Sequence, residues 1–278
     1  MIKTDGFVCA LKADLFKLRK MKSVWIGLAV MFALMLVLFS VCWILIAILN
    51  KMTPIDPSEA MQQQSTLFAL SQLCDTFLAS FSDTASISLF IAIITCLFVG
   101  KDFSNGAVRL QVARGANRTQ LYFSKWLTLS ILVVAYSAFA ILVCGIFTAF
   151  KGYSVPFTAQ HFGWLVRNFF LQVLCNISTM SIVLAIAYLC RSSGASLGAT
   201  IGGAIAISIV FGLVASVGAL GGGSIEWINF MPLEQTSIAG IMDKFTTSQL
   251  CAVIIMPIVY GAIAITVGLM SFLKRDIK

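Results

Sequence analysis

Residues 101–126 read KDFSNGAVRLQVARGANRTQLYFSKW, one long polar and basic segment set between two runs of apolar residues that are each long enough to cross a bilayer. The segment carries Lys101, Arg109, Arg114, Arg118 and Lys125 against a single acid, Asp102. Basic residues concentrate on the cytoplasmic side of membrane proteins, so the loop is expected to be cytoplasmic. Its local chemistry predicts two helices around a break. Asn105 is expected to cap a helix over residues 106–114, Gly115 to stop it in the left-handed conformation, and Asn117 to cap the helix entering the next span. The loop therefore reads as a shaped surface.

Working outward, 59% of the 278 residues are hydrophobic and 11% are charged. Soluble domains carry about a quarter charged residues, so the composition excludes a soluble globular protein. The expected fold class is all-α: a polytopic membrane protein formed as one transmembrane domain over 1–278. Six spans are expected, at 24–49, 83–100, 126–150, 168–190, 196–217 and 249–273. Residues 1–23 predict an interfacial helix, because Phe7, Val8, Leu11, Leu15 and Leu18 recur at helical spacing among Lys12, Lys17, Arg19 and Lys20. The first apolar run is too long for a signal peptide and lacks a small-residue cleavage site, so it is expected to remain as a span. Residues 218–248, rich in glycine and broken at Pro232, predict an outer, partly embedded segment, and residues 59–78 a short outer helix.

The net charge of +8 follows topology. With both termini placed in the cytoplasm, fifteen of the nineteen Lys and Arg fall inside, and only Lys51, Lys151, Arg167 and Lys244 fall outside. Distributed this way the charge orients the spans and argues against nucleic-acid binding. The eight cysteines lie mostly within spans and read as small apolar residues, and His161 is the single histidine, so no metal site is expected.

Other chemistry is also missing. No Asp, Glu, Lys, Arg or His falls near the middle of an expected span, where ion-coupled carriers place their relays. The chain has no phosphate loop of the Gly-x-x-x-x-Gly-Lys-Ser/Thr type, so any ATP it uses is bound by another polypeptide, and no catalytic, cofactor-binding or metal-ligating residue is expected. Gly194, Gly198 and Gly202 form a row at four-residue spacing, continued by Ala206, that lets helix backbones approach, either within a subunit or between subunits. Asn176, Ser178, Thr179 and Ser181 in the fourth span read as interhelical hydrogen bonds.

Within this layout, Asp102-Phe103, Asn105-Gly106-Ala107, Arg114-Gly115, Arg118 and Ser124-Lys125-Trp126 resemble the loop between spans two and three of the permease subunits of ABC-2 type transporters, particularly small bacterial ones. Two positions depart from the family pattern: Ala107 stands where Thr is frequent, and Asn105 where an acid precedes the glycine. The resemblance implies a permease of the bacterial cytoplasmic membrane that works in a pair, with a second copy or a homologous permease, each above a separate ABC ATPase subunit. It implies that residues 101–125 are a coupling loop, with Asn105, Gly106, Val108, Arg109, Leu110, Val112 and Arg114 meeting the ATPase, and with Val108, Leu110 and Val112 packed in its cleft. Exported substrates of such permeases include antimicrobial peptides, drugs and lipids. The alternative is a membrane assembly or sensor subunit that transports nothing; a secondary carrier or channel is disfavoured by the missing relays.

Overall fold

In hydrocarbon, every backbone N–H and C=O must be paired within the protein, which leaves helices or closed barrels as spanning structures. The computed structural model describes residues 4–51, 84–113, 115–150, 159–220, 235 and 247–274, and among these residues it takes the helical solution throughout. Eight helices are seen there: α1 (Thr4–Lys20), α2 (Lys22–Lys51), α3 (Thr84–Ser104), α4 (Ala107–Ala113), α5 (Arg118–Phe150), α6 (Ala159–Cys190), α7 (Ser193–Leu220) and α8 (Thr247–Lys274). Helices α3, α5, α6, α7 and α8 each contain a stretch long and apolar enough to cross a membrane. Helices α1 and α2 supply a sixth when taken together, bent by 52° at the single residue between them, Met21. The fold is that of a polytopic, all-α membrane protein. The expected outer helix at 59–78, most of 218–248 and Arg114 lie outside the described residues.

The core lies among α3, α5, α6 and α8. Ile91, Ile94 and Phe98 of α3, Leu129 and Val133 of α5, Met180 and Leu184 of α6 and Phe272 of α8 are nearly or wholly buried. Helix α2 turns Met31 and Met35 onto this core and leaves Trp25, Ile26 and Val37 exposed. The Tyr136 hydroxyl fixes its start by donating to the Val24 carbonyl at 2.7 Å. Gly27 makes room for that bond, since a Cβ there would come within 2.8 Å of the hydroxyl oxygen. Helix α7 rests on α3 and α6 along a narrow contact, with Thr200 Oγ1 3.5 Å from Cys96 Sγ.

One end of the bundle collects the loop. At 33 residues, α5 is about 50 Å long against a hydrocarbon thickness of about 30 Å, so its first turns can project beyond the apolar layer. Arg118 opens α5 and donates from Nη1 to the Leu273 carbonyl at 3.3 Å, which fastens the end of the loop to the last turn of α8.

Candidate functional site

The loop is held at both ends by its own backbone. The Asn105 N–H still donates to Lys101 O at 2.9 Å, so α3's last turn runs through it. Gly106 then turns the chain at φ 66°, and its carbonyl takes the first bond of α4, from the Leu110 N–H at 3.1 Å. The N-cap position thus falls on Gly106, one residue later than the expected Asn105, because Asn105 is still committed to α3. At the other end, Gly115 N–H donates to Val112 O at 3.0 Å and Ala116 N–H to Gln111 O at 3.1 Å, with Gly115 at φ 83°. This is a Schellman closure with glycine in its left-handed position. Asn117 caps α5 as expected, its Oδ1 accepting from the Thr119 N–H at 3.3 Å and the Thr119 hydroxyl at 3.0 Å.

The apolar positions of α4 do not share an outward face. Val108 is only 2% exposed and belongs to this chain's own core, with Val112 packed partly against it. Leu110 is 59% exposed, and Arg109 and Asn105 are exposed beside it. Successive helical residues turn by about 100°, so Val108 and Val112 lie together one turn apart and Leu110 lies across the helix from them. Val108 is therefore an anchor of the loop within this chain's own core, which corrects the expectation that it faces a partner, and the outward positions of α4 are Leu110 and Arg109.

Behind the loop lies a charged cluster assembled from three helices. Lys125 on α5 pairs with Asp102 on α3 and with Asp14 on α1, the latter at 3.4 Å. Lys17 on α1 pairs with the other oxygen of Asp102, and Ser124 donates to Asp14 at 2.7 Å. The Phe98 ring lies under both ammonium groups, at 4.6 Å from Lys17 and 5.0 Å from Lys125. Asp14, Asp102, Ser124 and Lys125 are buried, whereas the Lys17 side chain keeps about a third of its surface. Two carboxylates and two ammonium groups balance, as buried charges must.

Beneath the cluster, Tyr188 contacts three rings: Phe103 at 5.6 Å edge-on, and Tyr122 and Phe272 at 5.0 Å each. These tie α3, α5, α6 and α8 together under the loop. Tyr122 fits because residue 268 is glycine, where a Cβ would meet its hydroxyl at 2.5 Å.

The remaining expected positions lie apart from the loop cluster. Gly194, Gly198 and Gly202 line a face of α7 on which an added Cβ would meet nothing within 4 Å, so the row makes no packing contact among the described residues. In α6, Ser181 accepts from Trp126 Nε1 at 2.9 Å and so joins α5, but Thr179 bonds its own helix at Cys175 O, and Asn176 and Ser178 make no side-chain hydrogen bond among the described residues. Of the four, Ser181 makes the expected interhelical hydrogen bond and the other three do not among the described residues, because only Ser181 meets a polar atom of another helix there. Among the described residues, no group of three or more His, Cys, Asp or Glu is placed to hold a metal ion.

Asp14 and Lys17 were missed by the sequence reading. A signal was available: acids are scarce on the basic side of the chain, and Asp14 and Asp102 both stand at the membrane edge among lysines.

An apolar bundle with five to six helical stretches able to cross a membrane, and one loop fastened at its end, defines a multi-pass membrane protein. Residues 10–207 match the model of the family described as ABC-2 family transporter protein, and the chain belongs to that family. It is an ABC-type permease, a membrane component of transport. No curated protein matches the chain.

Proposed function

We propose that this chain is the permease subunit of an ATP-driven exporter of the bacterial cytoplasmic membrane, with both termini in the cytoplasm and ATP bound and hydrolysed only by a separate ABC ATPase subunit. The observation that carries this reading is the two-sided loop helix: Val108 seats α4 in the bundle, while Leu110 and Arg109 stand outward. A short helix fixed on one side and open on the other can receive mechanical displacement and pass it to the helices at its ends. Leu110 fills an apolar part of the ATPase cleft, and Arg109 meets acidic or carbonyl groups at its rim. The substrate is amphipathic, of the antimicrobial-peptide, drug or lipid class, as the family resemblance implies.

Two permeases pair in this reading. The open glycine row of α7 supports it, because Ile201, Ile205 and Ile209 share its face and are exposed too. A second α7, from another copy or from a homologous permease, covers that face.

The test looks for an ABC ATPase among the neighbouring reading frames and co-expresses it with the permease. Leu110→Asp should abolish co-purification and ATPase stimulation while the permease inserts and folds as before. Arg109→Ala should weaken association by less, since an exposed charge contributes about 0–1 kcal/mol. Full association with Leu110→Asp would remove α4 from the interface and favour a membrane subunit that transports nothing.

A further inference from the structure

We propose that Asp14, Lys17, Asp102 and Lys125 are positioning residues that lock α1 to both flanks of the loop, so that α1 and the loop helix move as one body and displacement of the loop reaches the first span through Met21. The lock stands on the structure alone; only the source of the motion rests on the exporter reading above.

Covalent connection gives the loop two exits, α3 and α5. Helix α2 is linked to the far end of α3 through residues 52–83 and meets α5 where Tyr136 bonds Val24, away from the loop, and α1 precedes the loop by more than eighty residues. The charged cluster supplies the third exit, because each of its links from α1 ends on a helix that flanks the loop: Lys17 on Asp102, and Asp14 on Ser124 and Lys125. Asp102 lies two residues before the end of α3, and Lys125 lies in the second turn of α5.

The cluster also sets the register of α1. A slide of one turn, about 5.4 Å, would bring Ala10 or Leu18 to the place of Asp14 and Ala13 or Met21 to that of Lys17. Apolar contacts would tolerate the slide, but buried Lys125 would lose Asp14 and buried Asp102 would lose Lys17, leaving the two with each other and with two of the cluster's bonds to α1 broken. The bond pattern at Met21 makes the bend stiff. Its N–H donates to Lys17 O at 3.1 Å and Leu18 O at 3.2 Å, and its carbonyl accepts from the Val24 N–H at 3.2 Å. Val24 is held in turn by Tyr136. Motion of α1 is therefore delivered to α2.

The first arm of the test needs only the full-length permease in lipid nanodiscs. Hydrogen exchange of the α1 amides should quicken about tenfold in Asp102→Asn, with α6 and α8 unchanged. Lys17→Met should act in the same direction and more weakly, and the double variant should be no faster than Asp102→Asn alone, because the two changes break one shared bond. Lys17 is partly exposed, so its variant gives the reading even if Asp102→Asn fails to assemble. Unchanged α1 protection in Lys17→Met, or additive effects in the double variant, would overturn the lock.

The second arm uses the permease–ATPase complex with spin labels at Lys12→Cys on α1, Ala113→Cys on α4 and Met270→Cys on α8. The α1–α4 distance should stay fixed between the nucleotide-free and ATP-bound states while both labels shift relative to α8. In the double variant the α1–α4 distance should change with nucleotide. A parent α1–α4 distance that moves with ATP would refute the single body. If neither label moves relative to α8, the ATP-driven reading falls and the exchange arm alone decides the lock.

Discussion

Helices α6 and α7 are neighbours in sequence, joined through Arg191 and Ser192, and both are apolar enough to span a membrane, yet 56% of the spanning stretch of α6 is buried against 11% of that of α7. Hydropathy cannot separate them, because lipid solvates a leucine as well as a neighbouring helix does. What separates them is where each helix finds a partner for its small and polar residues. Helix α6 buries Asn168, Gln172, Asn176 and Ser181 on faces toward the bundle. Helix α7 spends Ser196 and Thr200 on its one seam and turns its glycines outward. In a membrane protein, a small-residue row left open on a helix otherwise poor in contacts marks a different kind of surface from the buried polar face beside it.

The largest effect that would test this contrast is expected at the seam. Gly100 on α3 sits so close to the start of α7 that an added Cβ would lie 2.5 Å from Ser193 Cα and 2.6 Å from its nitrogen. Backbone cannot swing away as a flexible side-chain tip can. Gly100→Ala should therefore destabilise the permease by about 1–3 kcal/mol, read as a lower unfolding temperature in detergent, with Gly100→Val worse. An Ala variant as stable as the parent would mean that α7 is free along its whole length and that the seam is no seam.

Local chemistry was legible in the sequence and long-range pairing was not. The Gly115 stop and the Asn117 cap depend on bonds within five residues, and both stand where turn chemistry puts them. The all-α membrane fold followed from composition alone. The Asp14–Lys125 link spans 111 residues, so the scarcity of acids on the basic side can single out Asp14 but no local pattern around it names its partner. Val108 was misread for a related reason. A seven-residue helix has no periodicity long enough to show which of its sides the bundle will claim, so Val108 and Leu110 look equivalent until α3 and α5 are placed around them.

A smaller effect, of opposite sign, is expected within α6. Asn176 is fully buried, and neither polar atom of its carboxamide has a hydrogen-bond partner among the described residues. An unpaired buried amide costs about 1–3 kcal/mol, whereas an apolar residue of similar size in its place is neutral or stabilising. Asn176→Leu should leave the unfolding temperature unchanged or raise it. A marked loss of stability would show that the amide is bonded in the membrane after all, and that polar pairing holds α6 along its full length. Retained stability with lost export would instead turn Asn176 from a packing residue into a contact for the substrate.

The smallest effect on the protomer, and the most direct on the contrast between the two helices, belongs to Gly198. Its surroundings hold nothing within 4 Å of an added Cβ, so a large side chain there meets no atom among the described residues. Gly198→Leu should leave protomer stability within about 0.5 kcal/mol of the parent, as substitutions away from packed features do. If the open row is where a second permease seats, the same change should hold two backbones apart and shift the assembly toward monomers, measured by mass photometry of the detergent-solubilised protein. The two readouts have to diverge. A Leu variant that unfolds as easily as Gly100→Ala would mean that α7 packs on its own chain through the glycines, and one that pairs as well as the parent would assign the row to lipid.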